Sequence, residues 1–450
     1  MSTDIDRRPA QEATTFPIHR ILPGLARDPL SGFADIGRRA NGEIVRLNIG
    51  AFRPYLVTRP AHVQHVLQDN AANYRREGLM WKPLSRLVGQ PSDSDPAWPI
   101  KREVFHSLLS GPNIASFTDA MARTITETVD ELADRAGDGR AVDAGAEMTR
   151  VVYRAITRVF VGDRISISDI DELGRAVVTA SASSFRSRML LPFVPHSIPL
   201  PGDRAFHRAV QDVDDLIFPI VRESRRQMED GNDIMSMLLR AQDDEGNRLN
   251  DQQVRDGIVA LFMAGTETTV TALTFLWPVL DAHPEVAAKL YAEIHSVVGK
   301  EQPSRAHPPK MTYTKLVLQE LLRMYAIAWI TPRTASADDV IDGVRIKGGS
   351  TVIVSPFLTH RLDDVWPQPQ IFDPQRFAPG RSRHRFAYLA FGAGPHQCLG
   401  RVFFTIEAQL ILAAFSRYRP RLRSSPVIEP QVGFTLKPRE RVEIALRPAG

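Results

Sequence analysis

The stretch from residue 257 to residue 280 constrains most strongly what this chain can become. It opens Gly257-Ile258-Val259-Ala260-Leu261-Phe262-Met263-Ala264-Gly265 and closes Trp277-Pro278-Val279-Leu280. Its length approaches the roughly 20 apolar residues of a membrane-spanning helix. Glu267, five threonines and Pro278 interrupt it, however, and an acid near the centre of a bilayer is costly. The segment therefore reads as a helix buried inside a soluble body, and no membrane anchor is expected.

The rest of the chain agrees with that reading. It is 43% apolar and 24% charged, a composition able to bury a large core. Helical periodicity dominates from about 100 to 325, most clearly at 233–240, 251–277, 284–298 and 312–325. Period-two alternation over Glu43 to Gly50, followed by Tyr55-Leu56-Val57, predicts a small antiparallel sheet near the N-terminus. After 325, short apolar runs such as Thr351-Val352-Ile353-Val354 alternate with proline-rich turns, and 433–436 with 442–446 reads as a hairpin. Length alone suggests about three domains, but no linker or repeat appears. The expectation is a weakly ordered arm over 1–20 and a single domain over 21–450, mainly α with small β-sheets.

Charge and cysteine content narrow the function. The net charge of +4 favours no particular polyanion, so nucleic acid is not an expected partner. Cys398 is the only cysteine, which rules out an internal disulfide framework and fits a reducing, cytoplasmic location. The first residues, Met-Ser-Thr-Asp-Ile-Asp-Arg-Arg, carry no apolar signal core.

A lone cysteine is usually inert core packing. Cys398 instead sits in Phe391-Gly392-Ala393-Gly394-Pro395-His396-Gln397-Cys398-Leu399-Gly400, just before a helix read over 401–417. Three glycines permit close approach of backbone to a flat ligand, and a helix N-terminus favours a thiolate. That combination suits axial ligation of iron.

This segment resembles the haem-binding loop of the cytochrome P450 family, Phe-x-x-Gly-x-(Arg or His)-x-Cys-x-Gly, at every specified position. Three other segments carry the same resemblance. Ala264-Gly265-Thr266-Glu267-Thr268-Thr269 is similar to the family's oxygen-binding groove, with Glu267 and Thr268 at its acid and alcohol positions. Glu320-Leu321-Leu322-Arg323 matches Glu-x-x-Arg, and Phe372-Asp373-Pro374-Gln375-Arg376-Phe377 resembles the segment that adds a second arginine. The likeness runs from about Gly24 to Leu436.

The resemblance implies a cytochrome P450 fold, with haem b lying between the oxygen-binding helix and the cysteine loop, and Cys398 as its iron ligand. Cleavage of O2 consumes two protons, which Glu267 and Thr268 would deliver. Glu320, Arg323 and Arg376 would form a buried structural triad. Trp98, Arg102, Arg333 and His396 would face the haem propionates, and Phe391 and Gly400 would complete the loop around the cofactor. Pro99, directly after Trp98, conflicts with a helical Trp98.

The substrate pocket would be walled by Met80, Trp81, Leu191, Phe193, Ile258, Leu261, Phe262, Ala264, Ile327, Ile330 and Phe434, which suits a lipophilic substrate such as a terpenoid or polyketide. No flavin or iron–sulfur segment is evident, so a separate ferredoxin and ferredoxin reductase would supply electrons. Lys101, Arg102, Arg381, Arg383 and Arg385 would form the basic docking surface.

Other chemistries explain less. A cysteine nucleophile with His396 as base leaves the glycines and remote motifs unexplained, and a zinc site lacks ligands. Haem-thiolate coupling, dehydration or isomerisation uses the same motifs. A haem sensor would keep Cys398 but has no need of Glu267 and Thr268.

Overall fold

The computed structural model describes residues 11–77, 85–89, 98–137, 139–162, 164–183, 194, 197–227, 233–242, 245–433 and 435–447. They form two compact units, where the sequence suggests one domain. The first takes Met1–Met80, Ala328–Phe372 and Gly380–Cys398; the second takes Trp81–Ile327, Asp373–Pro379 and Leu399–Gly450. Each unit is built from separate stretches of chain, so no single linker marks the division in the sequence.

The first unit is organised by a six-stranded mixed sheet. The alternation over 43–50 yields the strand Val45–Leu47, antiparallel to Tyr55–Val57 as its pattern predicts. Tyr55–Val57 continues the sheet by pairing parallel with Thr351–Val354, which pairs antiparallel with Thr331–Ala335. All three residues of Tyr55–Val57 are buried, as befits a strand covered on both faces. The N-terminal arm needs correction from residue 11 onward. Gln11–Glu12 pairs with Val344–Ile346, and Thr14–Phe16 adds an edge to the main sheet. Strands of two or three residues are too short to show a period, and only their partners define them.

The core of this unit joins Tyr55, Val57, Val66, Leu67, Tyr74 and Val354 to Phe386 and Leu389, so the chain leading to Cys398 is anchored in it. His360, fully buried, accepts a hydrogen bond from the Leu389 amide (2.8 Å) and stacks on Tyr388 with ring centroids 5.5 Å apart. A second tether lies at the π-helical turn His65–Asp69. One oxygen of Asp339 accepts from Tyr74 (2.7 Å), His65 (2.8 Å) and Asn70 (3.0 Å). Partial burial works against the Asp339 carboxylate, but these hydrogen bonds prevail and hold its carboxyl below the usual range.

The second unit is a helical body around the long helix Asp251–Ala282. A reciprocal capping box starts that helix: Asn250 accepts from the Gln253 amide and Gln253 accepts from the Asn250 amide, both at 2.9 Å. Helices Ala144–Val161, Asp203–Gln227 and Thr312–Tyr325 pack on it. Phe275 stacks on Tyr325 with centroids 4.1 Å apart. Asp251–Ala282 and Gly394–Ser416 are long and apolar enough to cross a membrane, yet 61% of each apolar window is buried within the protein. The helix runs through Pro278 to Ala282, five residues beyond the sequence reading, because packing offsets one lost backbone hydrogen bond.

The C-terminal hairpin also differs from expectation. Pro430–Gln431 pairs with Lys437–Pro438, whereas Glu443–Ala445 pairs with Arg421–Leu422 and Ala141–Asp143. Both pairings are consistent with the same local alternation, and only the distant strand Ala141–Asp143 decides between them.

Candidate active site

The cysteine segment is held by its backbone. Gly392 and Gly394 have left-handed φ values of +63° and +71°. A Cβ on Gly394 would lie 1.6 Å from the carbonyl oxygen of Leu67, so only glycine fits there. The Gln397 amide donates to the Gly394 carbonyl (3.0 Å) and the Cys398 amide to the Phe391 carbonyl (2.8 Å), closing the loop on itself. Phe391, His396 and Gly400 are half-buried. Cys398 itself is exposed, although free cysteines rank among the most buried residues. Gly400 opens the helix Arg401–Ser416 and brings no side-chain cap to its first amides. An exposed sulfur on a glycine-locked loop beside an uncapped helix fits an axial thiolate ligand.

The middle of the long helix is uneven in burial. Phe262, Met263, Thr266 and Thr269 are buried, while Leu261, Gly265 and Thr268 are half-buried and Ala264 is exposed. One face of an otherwise enclosed helix is thus left uncovered. Thr268 donates to the Ala264 carbonyl at 2.7 Å, the back-bond its spacing predicts. Gly265 has a packing role as well, since an added Cβ would lie 3.2 Å from Ile156.

Glu267 is held by two residues that sequence reasoning missed. Thr435 donates to its Oε1 at 3.0 Å and the Lys437 ammonium lies 2.8 Å from the same oxygen. Nothing local in the sequence signals these partners. Glu407 was also missed, though an acid within the apolar run Phe403 to Ala414 is a visible anomaly. It is fully buried, and burial, only partly offset by a hydrogen bond from Thr269, pushes its carboxyl up to about 8.

The structure brings the triad together. Arg323 binds Glu320 in bidentate fashion, Nε to Oε2 at 2.7 Å and Nη2 to Oε1 at 2.8 Å, and neither side chain reaches solvent. Arg376 Nε lies 3.3 Å from Glu320 Oε1, which also accepts from the Asp373 amide at 3.0 Å. The 3-10 turn Pro374–Phe377 delivers that arginine.

The remaining candidates are scattered more widely. Trp98 and Pro99 are the first two residues of the helix Trp98–Leu108, where the missing proline amide costs nothing, so Trp98 is helical after all. Arg102 is half-buried. Arg333 is buried on Thr331–Ala335 and donates to the Pro332 carbonyl at 2.9 Å. Lys101 is only 6% exposed and is no part of a docking surface.

Two residues expected in the pocket wall belong to the core instead. Ile258 and Phe262 are fully buried, and Phe262 packs on Tyr153 and Phe160 with centroids 6.1 and 5.4 Å apart. At about 100° per residue, Phe262 points roughly 160° away from Ala264. Ile327 is also buried, and Ile330 is half-buried. Met80, Trp81, Leu191, Phe193 and Phe434 lie outside the described residues.

Comparison with known proteins turns this site into a family assignment. The cytochrome P450 family model matches residues 12–441. The chain belongs to the cytochrome P450 family. Among its relatives, a cyclooctatin synthase of Streptomyces melanosporofaciens is 30% identical, covering 98% of this chain and 97% of that protein. A cyclooctat-9-en-7-ol 5-monooxygenase of the same organism is 31% identical over 89% of this chain and 87% of the relative. A pentalenene oxygenase of Streptomyces avermitilis is 27% identical over 94% and 93%. The solved cytochrome P450DA heme domain superposes with a TM-score of 0.87 at 22% identity, over 98% of this chain and 99% of that one, and so shares the fold. This cytochrome P450 is an oxidoreductase of the monooxygenase type.

Proposed function

We propose that this cytochrome P450 holds haem b through the Cys398 thiolate and inserts one atom of O2 into a lipophilic secondary metabolite, a terpenoid or polyketide. The observation that carries the proposal is the exposed Cys398 on a loop in which Gly394 leaves no room for any other residue. Thiolate-ligated haem iron supplies the electron push that favours O–O cleavage. Trp98, Arg102, Arg333 and His396 would anchor the propionates by charge and hydrogen bonding.

Proton supply falls to the long helix. The Thr268 hydroxyl, now bonded to the Ala264 carbonyl, turns to hold water or an oxygen atom on the uncovered face. Glu267 passes protons toward it, kept in place by Thr435 and by the half-exposed Lys437. Leu261 and Ala264 on the long helix would contribute to the pocket wall. Pentalenene and cyclooctat-9-en-7-ol, for which two relatives are named, agree with a hydrocarbon-rich ligand.

Electrons come from a ferredoxin and its reductase, with an acidic ferredoxin docking at exposed Arg381 and Arg385, close in sequence to the cysteine loop. A cytoplasmic location belongs to the same proposal, as a single cysteine suits a reducing compartment. The test is Cys398→Ser. The wild type should give the red-shifted absorbance of a reduced carbon monoxide complex and the variant should lose it; persistence of that band in the variant removes Cys398 as the ligand.

A further inference from the structure

The small sheet of the second unit carries charge for which the proposed reaction has no use. Its strands lie in the order Arg421–Leu422, Glu443–Ala445, Ala141–Asp143, and both pairings are antiparallel. The register sets Leu422, Ile444 and Val142 in one row, and Ile444 is fully buried, so that row faces the core. Alternation sends the neighbouring row, Arg421, Ala445 and Ala141, to the outer face. The next outer row holds Arg423, Glu443 and Asp143, the Arg423 amide donating to the Glu443 carbonyl at 2.8 Å. By the same parity Arg441 and Arg447 extend the central strand on that face, and Arg419 leads into the edge strand.

Five arginines thus share this face with two carboxylates, and the carboxylates are already engaged. Arg441 reaches both Asp143 (2.9 Å) and Glu443 (3.6 Å). Among the described residues no ion pair involves Arg419, Arg421, Arg423 or Arg447, and all four are exposed. Arg447 passes over Gly139, where an added Cβ would come within 3.1 Å of its Nε. Arg419 adopts a left-handed φ of +36°, which a residue with a Cβ does at a cost. Like charges crowded on a sheet face repel one another. Charge on an edge strand can block unwanted pairing, but an edge of two residues is already short enough to be protected. The surplus argues for an anion from outside the chain.

The turn after Arg423 decides which kind. Ser425 Oγ accepts from the Val427 amide at 3.2 Å, and Ile428 is buried while Val427 is 73% exposed, more than any other large apolar side chain described. Pro426 is exposed beside it. Acidic side chains alone would leave such a tip in water. The surface of an anionic bilayer meets both features, with phosphates for the guanidinium forks and an apolar boundary layer for the tip.

We infer that this face is a membrane-docking surface: Arg419, Arg421, Arg423 and Arg447 bind the headgroup phosphates of an anionic bilayer, and Pro426 and Val427 enter the headgroup layer. The hold is reversible, since each arginine near such a surface strengthens binding only about fivefold. It brings the protein to the phase in which a lipophilic substrate concentrates, and it does not depend on the haem-thiolate reading.

Flotation of the whole protein with vesicles tests this without turnover. The protein should bind vesicles of equal parts phosphatidylglycerol and phosphatidylcholine, come off as salt rises, and ignore pure phosphatidylcholine. Arg421→Ser combined with Arg423→Ser should weaken binding about 25-fold, about fivefold for each arginine. Val427→Asp should weaken it several-fold with every arginine in place. All three side chains are exposed, so the circular dichroism and unfolding midpoint of the variants should match the wild type. Arg204→Ser with Arg208→Ser, which removes two exposed arginines from Asp203–Gln227, is the control for net charge and should have far less effect. No binding to the anionic vesicles, unchanged binding in Val427→Asp, or an equal loss in the control overturns the inference. Capture on immobilised polyglutamate without vesicle binding would give the face to an acidic protein and overturn it as well.

Discussion

Replacing Arg323 with methionine would strand the Glu320 carboxylate inside the protein. Among the described residues Glu320 would keep Arg376 at 3.3 Å and the Asp373 amide at 3.0 Å, with no exposure of its own. Breaking a buried pair from one side costs about 3–5 kcal/mol, a large share of a typical total of about 5–15 kcal/mol. The folded-to-unfolded ratio should therefore fall between about 10²- and 10⁴-fold. The Lys437–Glu267 pair provides the control. Its 2.8 Å contact matches the 2.7 Å of Arg323–Glu320, but its side chains are 37% and 11% exposed rather than sealed. Lys437→Met should cost no more than about 1 kcal/mol, because water screens the pair and solvates the carboxylate left behind. Urea unfolding followed by circular dichroism, with midpoints compared at constant slope, measures both. If the two substitutions cost the same, burial is not what makes the triad matter, and the argument fails.

Further outcomes follow from the same geometry. Gly394→Ala should abolish haem incorporation, read from the absorbance of purified protein, because the methyl group would collide with Leu67 in a left-handed backbone; normal loading would contradict the rigid-loop argument. Thr268→Ala should leave the carbon monoxide band intact while less product forms per electron, and full coupling would remove Thr268 from proton delivery. Glu407 binds its proton more tightly folded than unfolded, its carboxyl being pushed up from 4.5 to about 8. Its contribution to stability is therefore complete below about pH 4.5 and lost as pH rises through about 8. Glu407→Gln should flatten the stability profile across that window, and an unchanged slope would mean the acid is not buried as described.

Legibility in the sequence varied with the range of the interaction. The cysteine loop, the Thr268 back-bond and the Glu320–Arg323 pair involve residues a few positions apart, so spacing alone was informative. Lys101 looked like a surface cation, yet its helix turns it inward. Phe262 looked like a pocket wall because it is apolar and lies on the oxygen-binding helix, yet helical rotation carries it into the packing with Phe160. Thr435 and Lys437 could not have been found, since nothing near Glu267 in the chain announces a strand from the far C-terminus.

The sequence by itself determined the chemistry on offer: one thiol, its glycine loop, and an acid–alcohol pair on a long apolar helix. Composition and short-range spacing suffice for that, because ligand identity and helical phase are local properties. Tertiary structure decided protonation and restraint. It sealed Glu320 with two arginines, left Glu267 within reach of Lys437 and water, and enclosed Glu407 with a single hydroxyl. The three acids differ in surroundings rather than in side-chain chemistry, and solvation, which sets the cost of a charge, is known only once the chain has packed.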